Sequence, residues 1–263
     1  MKPQKVKTSL MAQPGNSRIE CCPLGNVLII APYNYPVLLV MQPLIGVIAA
    51  GNTAIVYPSP MTPVTSSLIA DILNDIFDEK YLQVVEGDIS ISNRLLEFKF
   101  NHIFFTGRAN VGKIVMAAAA KHLTPVTLEL GGKSPTILNK DCKLEQAVKR
   151  VLSGKFLNAG QTCIAPDHVF VHKDIKEKFL QLVKQEMVKF YGANIKKSKD
   201  FGRIVDKRHF HRIKNLISRS KSKIYLGGGV DENQSYIEPT VLTDVTFDEP
   251  VMKEEIFGPV LPV

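Results

Sequence analysis

Cys163 sits in the run Phe156-Leu157-Asn158-Ala159-Gly160-Gln161-Thr162-Cys163-Ile164-Ala165-Pro166. Upstream, Glu129 stands in Leu128-Glu129-Leu130-Gly131-Gly132-Lys133-Ser134-Pro135. A thiol flanked by small and polar residues, with a carboxylate beside a glycine pair, supplies the residue types of a covalent nucleophile and its general base. A cysteine taken alone reads as a small buried hydrophobe. The two flanking sequences together make the assignment. A free thiol titrates near ~8.5, so such a site must stabilise the thiolate to work well at neutral pH.

The elements that must position these residues follow from periodicity. Val27–Ala31 is a short apolar run ending at Pro32 and predicts a buried strand. Val37–Ala50 predicts a helix, with Pro36 at its start and Gly51-Asn52 as its stop. Thr53–Tyr57 is a second strand, Pro63–Phe77 an amphipathic helix and Leu82–Val85 a third strand. A further helix precedes the strand His102–Thr106. The alternation predicts a parallel, doubly wound α/β sheet, which binds ligands at the carboxyl ends of its strands. After Gly131-Gly132 the pattern restarts, with helices at Leu144–Asn158, Ile175–Tyr191 and Phe210–Ser220 and strands at His168–His172 and Ile224–Leu226. Three parts are expected: an N-terminal segment over residues 1–24, a first α/β domain over 25–130 and a second α/β domain over 131–263.

Composition excludes several classes. The chain has 263 residues, 45% apolar and 22% charged, with a net charge of +8. That length buries a real core. The basic residues are scattered, without interleaved aromatics, so they read as a solvated face and not a nucleic-acid platform. Four cysteines, two of them the adjacent Cys21 and Cys22, form neither a disulfide framework nor a zinc pattern. They fit a reducing, cytoplasmic setting. His209 and His211 lack a carboxylate or thiol cluster and read as surface histidines; no metal site is expected. Met1–Lys5 lacks the apolar core of a signal peptide. Val27–Ala50 is apolar, but Pro32, Pro36, Pro43, Asn34 and Gln42 argue against a membrane span.

Gly107–Ile114 has the glycine and lysine spacing of a phosphate-binding P-loop. That loop needs Ser or Thr after the lysine to hold magnesium, and the chain has Ile114.

The sequences around Glu129 and Cys163 resemble the aldehyde dehydrogenase superfamily, the latter most like its class 3 branch for fatty and aromatic aldehydes. Pro32-Tyr33-Asn34-Tyr35-Pro36, Phe105-Thr106-Gly107, Tyr236–Thr240 and Glu254-Glu255-Ile256-Phe257-Gly258-Pro259-Val260 follow in the family's order. The resemblance runs from Lys5 to Val263. It implies that the Cys163 thiolate attacks an aldehyde, that hydride leaves for NAD or NADP, and that Glu129 activates water to hydrolyse the resulting thioester. Asn34 and the Cys163 backbone N–H would hold the oxyanion. Gly107, Arg108 and Gly112 would line the turn under the cofactor pyrophosphate. Glu255 and Phe257 would contact the nicotinamide ribose and ring, and Tyr57 falls at the adenosine ribose. Lys133 receives no chemical role. Residues 1–24 resemble the strand that bridges subunits in a homodimer.

The chain departs from the family in three places. Tyr57-Pro58-Ser59-Pro60 stands where the family has Lys-Pro-Ser-Glu, removing two polar ribose contacts. Each charged hydrogen bond lost is worth roughly ~1.5–3 kcal/mol, so cofactor affinity is expected to fall. Arg108 replaces a serine; it is bulkier but cationic. Relatives extend further at both ends, and Gly258–Val263 lies inside a family motif. That suggests a fragment or a degraded, non-catalytic remnant as one alternative, and a cofactor-free esterase using Cys163 and Glu129 as another.

Overall fold

A computed structural model describes residues 2–263. The chain divides into two compact units, Met1–Leu130 and Gly131–Val263.

The first unit begins with a small, largely exposed antiparallel pair, β1 (Gln4–Val6) and β2 (Ser17–Ile19). There follow β3 (Asn26–Ile30), α1 (Leu38–Ala49), β4 (Thr53–Tyr57), α2 (Pro63–Ile76), β5 (Leu82–Val84), α3 (Ile89–Leu95), β6 (His102–Gly107), α4 (Ala109–Ala120) and β7 (Val126–Leu130). The last five strands form one parallel sheet in the order β5-β4-β3-β6-β7. Helices cover both faces, as the sequence alternation predicts. In β3, Val27 and Ile29 pack with Val40, Leu44, Ile69 and Leu73 of α1 and α2. Leu28 and Ile30 point the other way, onto Leu95, Val115 and Ala119 of α3 and α4. Both faces of β3 are thus apolar, as a central parallel strand requires. The order reverses between β3 and β6, which makes a crevice at the carboxyl end of the sheet.

The second unit holds β8 (Pro135–Leu138), α5 (Leu144–Phe156), β9 (His168–Val171), α6 (Lys176–Tyr191), α7 (Lys207–Arg219), β10 (Lys223–Leu226), β11 (Val230–Asp231), β12 (Tyr236–Ile237), β13 (Thr240–Thr243), α8 (Pro250–Lys253) and β14 (Val260–Pro262). β8 and β9 are parallel. In the sheet β10-β13-β14, β14 runs parallel to β13 and β10 antiparallel. One core joins Val148 and Leu152 of α5, Phe179 and Val183 of α6, and Phe210 and Ile213 of α7 to Val241 and Val260.

Three details differ from the sequence expectation. α7 starts at Lys207, earlier than Phe210, because the Asp206 carboxylate caps it by accepting the His209 N–H at 2.7 Å. His209 is buried, not a surface residue; its Nδ1 lies 2.7 Å from Asp206 Oδ1. α5 stops at Phe156 and not at Asn158, because the chain turns left-handed at Asn158, Ala159 and Gly160. No helix of the described residues is long and apolar enough to cross a membrane.

Candidate active site

In the first unit, the parallel sheet gathers the expected residues at its carboxyl edge. Asn34, half-buried, lies on the loop between β3 and α1. Tyr57 ends β4 and Gly107 ends β6. Glu129 is exposed in β7, in register with Thr106 of β6. Arg108 is the exposed N-cap residue of α4, with backbone in the extended region and no side-chain capping bond. Arg108 thus precedes the positive end of the α4 dipole, where anions are favoured. Gly112 gives α4 its approach to β7: a Cβ there would come within 2.9 Å of Leu130 Cδ2.

Tyr57 departs from the expected cofactor contact, since its hydroxyl is spent inside the fold. The residue is 3% exposed, and its hydroxyl shares a proton between the carbonyls of Gly87 at 3.0 Å and Asp88 at 2.8 Å. Burial first, and the Asp88 charge second, push the phenol up to about 12. The hydroxyl ties down the loop after β5 and is not turned to a ligand. Tyr57→Phe is expected to lower stability by about 0.5–1.5 kcal/mol, because the hydroxyl's hydrogen bonds to the Gly87 and Asp88 carbonyls are lost; a urea melt checks this. The segment Tyr57–Pro60 at the β4 end thus carries no charged side chain.

In the second unit, Cys163 is a half-buried free thiol on the loop between α5 and β9. The left-handed run ahead of it ends at Gly160, with φ +76°. A Cβ at Gly160 would collide with the Gly258 carbonyl, so only glycine lets the thiol loop lie against the Glu255–Gly258 segment. The buried Gln161 side chain fixes the loop from behind. Its amide donates to the carbonyls of Asn158 and Arg203, each at 3.0 Å, and its oxygen accepts the Val205 N–H at 3.1 Å.

The Glu255–Gly258 segment is held at several points. The Asp167 carboxylate, 3% exposed, accepts the Ile256 N–H at 2.8 Å and pairs through its other oxygen with the Lys133 ammonium. Lys133 also donates to the carbonyls of Val251 at 2.8 Å and Glu254 at 3.0 Å. The Arg212 guanidinium donates to the Ile256 carbonyl at 2.6 Å. Phe257, half-buried, has a left-handed φ of 46°, a strained conformation that the surrounding bonds must hold. The Glu255 carboxylate fills the space that a side chain on Gly131 would need.

Sequence reasoning gave Lys133 no role and passed over Asp167, Lys155 and Arg212. Asp167 closes the Gly-Gln-Thr-Cys-x-Ala-Pro-Asp motif, and an acid directly before an apolar strand was the available signal. Lys155, in the last turn of α5, is 1% exposed. Burial lowers its amine to about 8, with Asp167 and Glu255 opposing that shift and Lys133 adding to it. His168 is held below the ordinary imidazole range, by burial first and then by the Lys133 charge. The folded Lys155 amine thus releases its proton before the unfolded one does. From about pH 8 to the ordinary lysine value of 10.5 the unfolded chain binds more protons, and this group makes stability rise with pH.

Comparison with known proteins agrees with this arrangement. The aldehyde dehydrogenase family model matches residues 3–263. The chain is 48% identical over 262 residues to the 4,4'-diaponeurosporen-aldehyde dehydrogenase of Staphylococcus aureus, covering 100% of this chain and 57% of that protein. It is 49% identical over 258 residues to aldehyde dehydrogenase family 3 member A2 of Macaca fascicularis, covering 98% of this chain and 53% of that protein. Among solved structures, the substrate-bound state of Staphylococcus aureus AldH superposes with a TM-score of 0.95 at 48% identity, over 99% of this chain and 57% of that one. The chain spans about half the length of the curated relatives it matches. With the motif order, the parallel sheet and the thiol loop all in agreement, the chain belongs to the aldehyde dehydrogenase family.

Proposed function

We propose that this chain carries the thiol and the dinucleotide site of an NAD(P)-dependent oxidation of aldehydes to carboxylic acids. The observation that supports this most is the Cys163 loop: a half-buried thiol beside the braced segment that bears Glu255 and Phe257. In this reading the thiolate adds to the aldehyde carbon, and the oxyanion takes hydrogen bonds from the Asn34 amide and the Cys163 backbone N–H. A bound nicotinamide supplies the hydride acceptor that makes this addition an oxidation. Glu129 then takes a proton from water, the hydroxide attacks the thioester carbonyl, and the carboxylic acid leaves as Cys163 regains its thiolate.

The residues fit a dinucleotide in part. Arg108 and the α4 N-terminus suit the pyrophosphate, and Glu255 and Phe257 the nicotinamide end. The β4 end lacks the charged ribose contact of the family, so affinity is expected to fall below that of relatives that keep it. Both dinucleotides are candidates. A Staphylococcus aureus betaine aldehyde dehydrogenase matches in complex with NAD+, and a rat relative is named dimeric NADP-preferring. That last name, with the exposed β1–β2 hairpin, favours a homodimer. Four free cysteines favour the cytoplasm.

The test is reduction of NAD+ or NADP+ dependent on an aliphatic or aromatic aldehyde. Glu129→Gln is expected to lower turnover by about 10²–10⁴-fold. Unchanged turnover would remove Glu129 as the base. The missing ribose contact favours one second reading, nucleotide-independent ester hydrolysis by the same two residues. It predicts ester cleavage indifferent to added dinucleotide and lost in Glu129→Gln.

A further inference from the structure

Gln161 reaches from the thiol loop to the segment 201–205, between α6 and α7. That segment belongs to no helix or strand, so its carbonyls need donors from elsewhere. The Arg203 side chain supplies them. Its Nη1 donates to the carbonyls of Phe201 at 3.0 Å and Gly202 at 3.2 Å, and its Nη2 to that of Lys196 at 2.7 Å. The guanidinium also lies over the buried Tyr236 ring, 5.0 Å from its centre. The segment so shaped meets the thiol loop at three points. Gly202 lies against the backbone of Asn158 and Ala159, where a Cβ would come within 3.4 Å of the Ala159 nitrogen. The Arg203 carbonyl accepts from the Gln161 amide at 3.0 Å, and the Val205 N–H donates to the Gln161 oxygen at 3.1 Å. The loop needs such support. Asn158 and Ala159 both have a φ of 52°, a left-handed conformation that residues with a Cβ keep only when their surroundings impose it. Cys163 follows Gln161 by two positions.

We infer that Arg203 is a positioning residue: by shaping the segment 201–205 it fixes, through Gln161, the left-handed turn that keeps the Cys163 thiol half-buried. Each link in that path is a direct hydrogen bond, from the guanidinium to the segment's carbonyls and from the segment to the Gln161 amide. When the guanidinium is lost, the segment loses its shape, Gln161 loses its two anchors and the turn relaxes toward ordinary backbone. The thiol then opens to solvent. A residue that only stabilised this unit would open all its half-buried thiols alike. Cys142, packed against the same core, is the gauge of that. The value for catalysis rests on the reading of Cys163 as the nucleophile; the test reads only how accessible the thiol is.

The test is alkylation of the full chain by iodoacetamide near neutral pH, followed peptide by peptide with mass spectrometry. Arg203→Met is expected to raise the Cys163 rate about tenfold, the equivalent of about 1.4 kcal/mol of lost hold on the turn, and to leave Cys142 within about twofold of the parent. Arg203→Lys keeps the charge but not the planar fork, so its Cys163 rate should fall between the two. Lys196→Met loses the ion pair with Asp231 but keeps the carbonyl that Arg203 uses, and should leave the Cys163 rate unchanged. Gln161→Glu breaks the same path at its other end and should also raise the rate. The double variant Arg203→Met, Gln161→Glu should then exceed the larger single effect by less than about twofold, because both changes act on one path. A Cys163 rate in Arg203→Met that falls, stays within about twofold of the parent or rises in step with Cys142 would overturn the inference. Two single effects that multiply in full would overturn it too. Should Arg203→Met fail to fold, the same two rates in Arg203→Lys decide. A chain without aldehyde activity leaves this result intact, so the two failures are distinguishable.

Discussion

Cys163→Ala is expected to abolish aldehyde-dependent dinucleotide reduction, with a loss of at least about 10⁴-fold. Without the thiol no covalent adduct forms, and hydride has no tetrahedral carbon to leave. The fold should be little changed. Cys163 is half-buried on a loop fixed by Gln161 and Gly160, and alanine fits the same backbone. A stability change within about 1 kcal/mol is expected in a thermal melt. The contrast with Glu129→Gln is informative, because loss of the base slows hydrolysis after the thiol has reacted. Turnover surviving in Cys163→Ala would rule out the covalent route.

Asp167→Ala carries the largest expected stability effect. The carboxylate is 3% exposed, pairs with the Lys133 ammonium, accepts the Ile256 N–H and favours the charged form of Lys155. Removing it leaves one buried and one partly buried cation without their shared acid, at a cost of about 3–5 kcal/mol. Asp167→Asn keeps an acceptor for Ile256 N–H but not the charge, so it should fall between parent and alanine. Lys133→Met should cost less than Asp167→Ala, because Lys133 is 25% exposed and partly solvated. Urea melts of the three variants check the order.

The parts of the fold legible in the sequence were those where one physical term dominates. Thr53–Tyr57 was placed to the residue because a β-branched apolar run between Gly51-Asn52 and Pro58 admits few alternatives. The sheet's parallel order followed from strand and helix alternation. The missed features depend on contacts between distant residues. β8 opens on Pro135, which speaks against a strand until β9 is seen beside it. The early start of α7 rests on the Asp206 cap, and the basic run Lys207-Arg208-His209 hid it. The site divides in the same way. Cys163, Glu129 and Asn34 stand in motifs that carry their own neighbours. Lys133, Asp167 and Lys155 act through one another, and Lys155 and Asp167 lie 12 positions apart, from the end of one helix to the edge of one strand. Tyr57 read as a lost ligand contact; its hydroxyl bonds to Gly87 and Asp88 supplied a reason that only the fold reveals.

The most direct test of the central claim is mass spectrometry of the Glu129→Gln chain after incubation with an aldehyde and NAD+ or NADP+. The thioester should accumulate, because its hydrolysis lacks the base. The account predicts an acyl group on the peptide that holds Cys163, absent without dinucleotide and absent in the Cys163→Ala, Glu129→Gln double variant. Aldehyde oxidation with no acyl group on that peptide, or with the group on another cysteine, would contradict it.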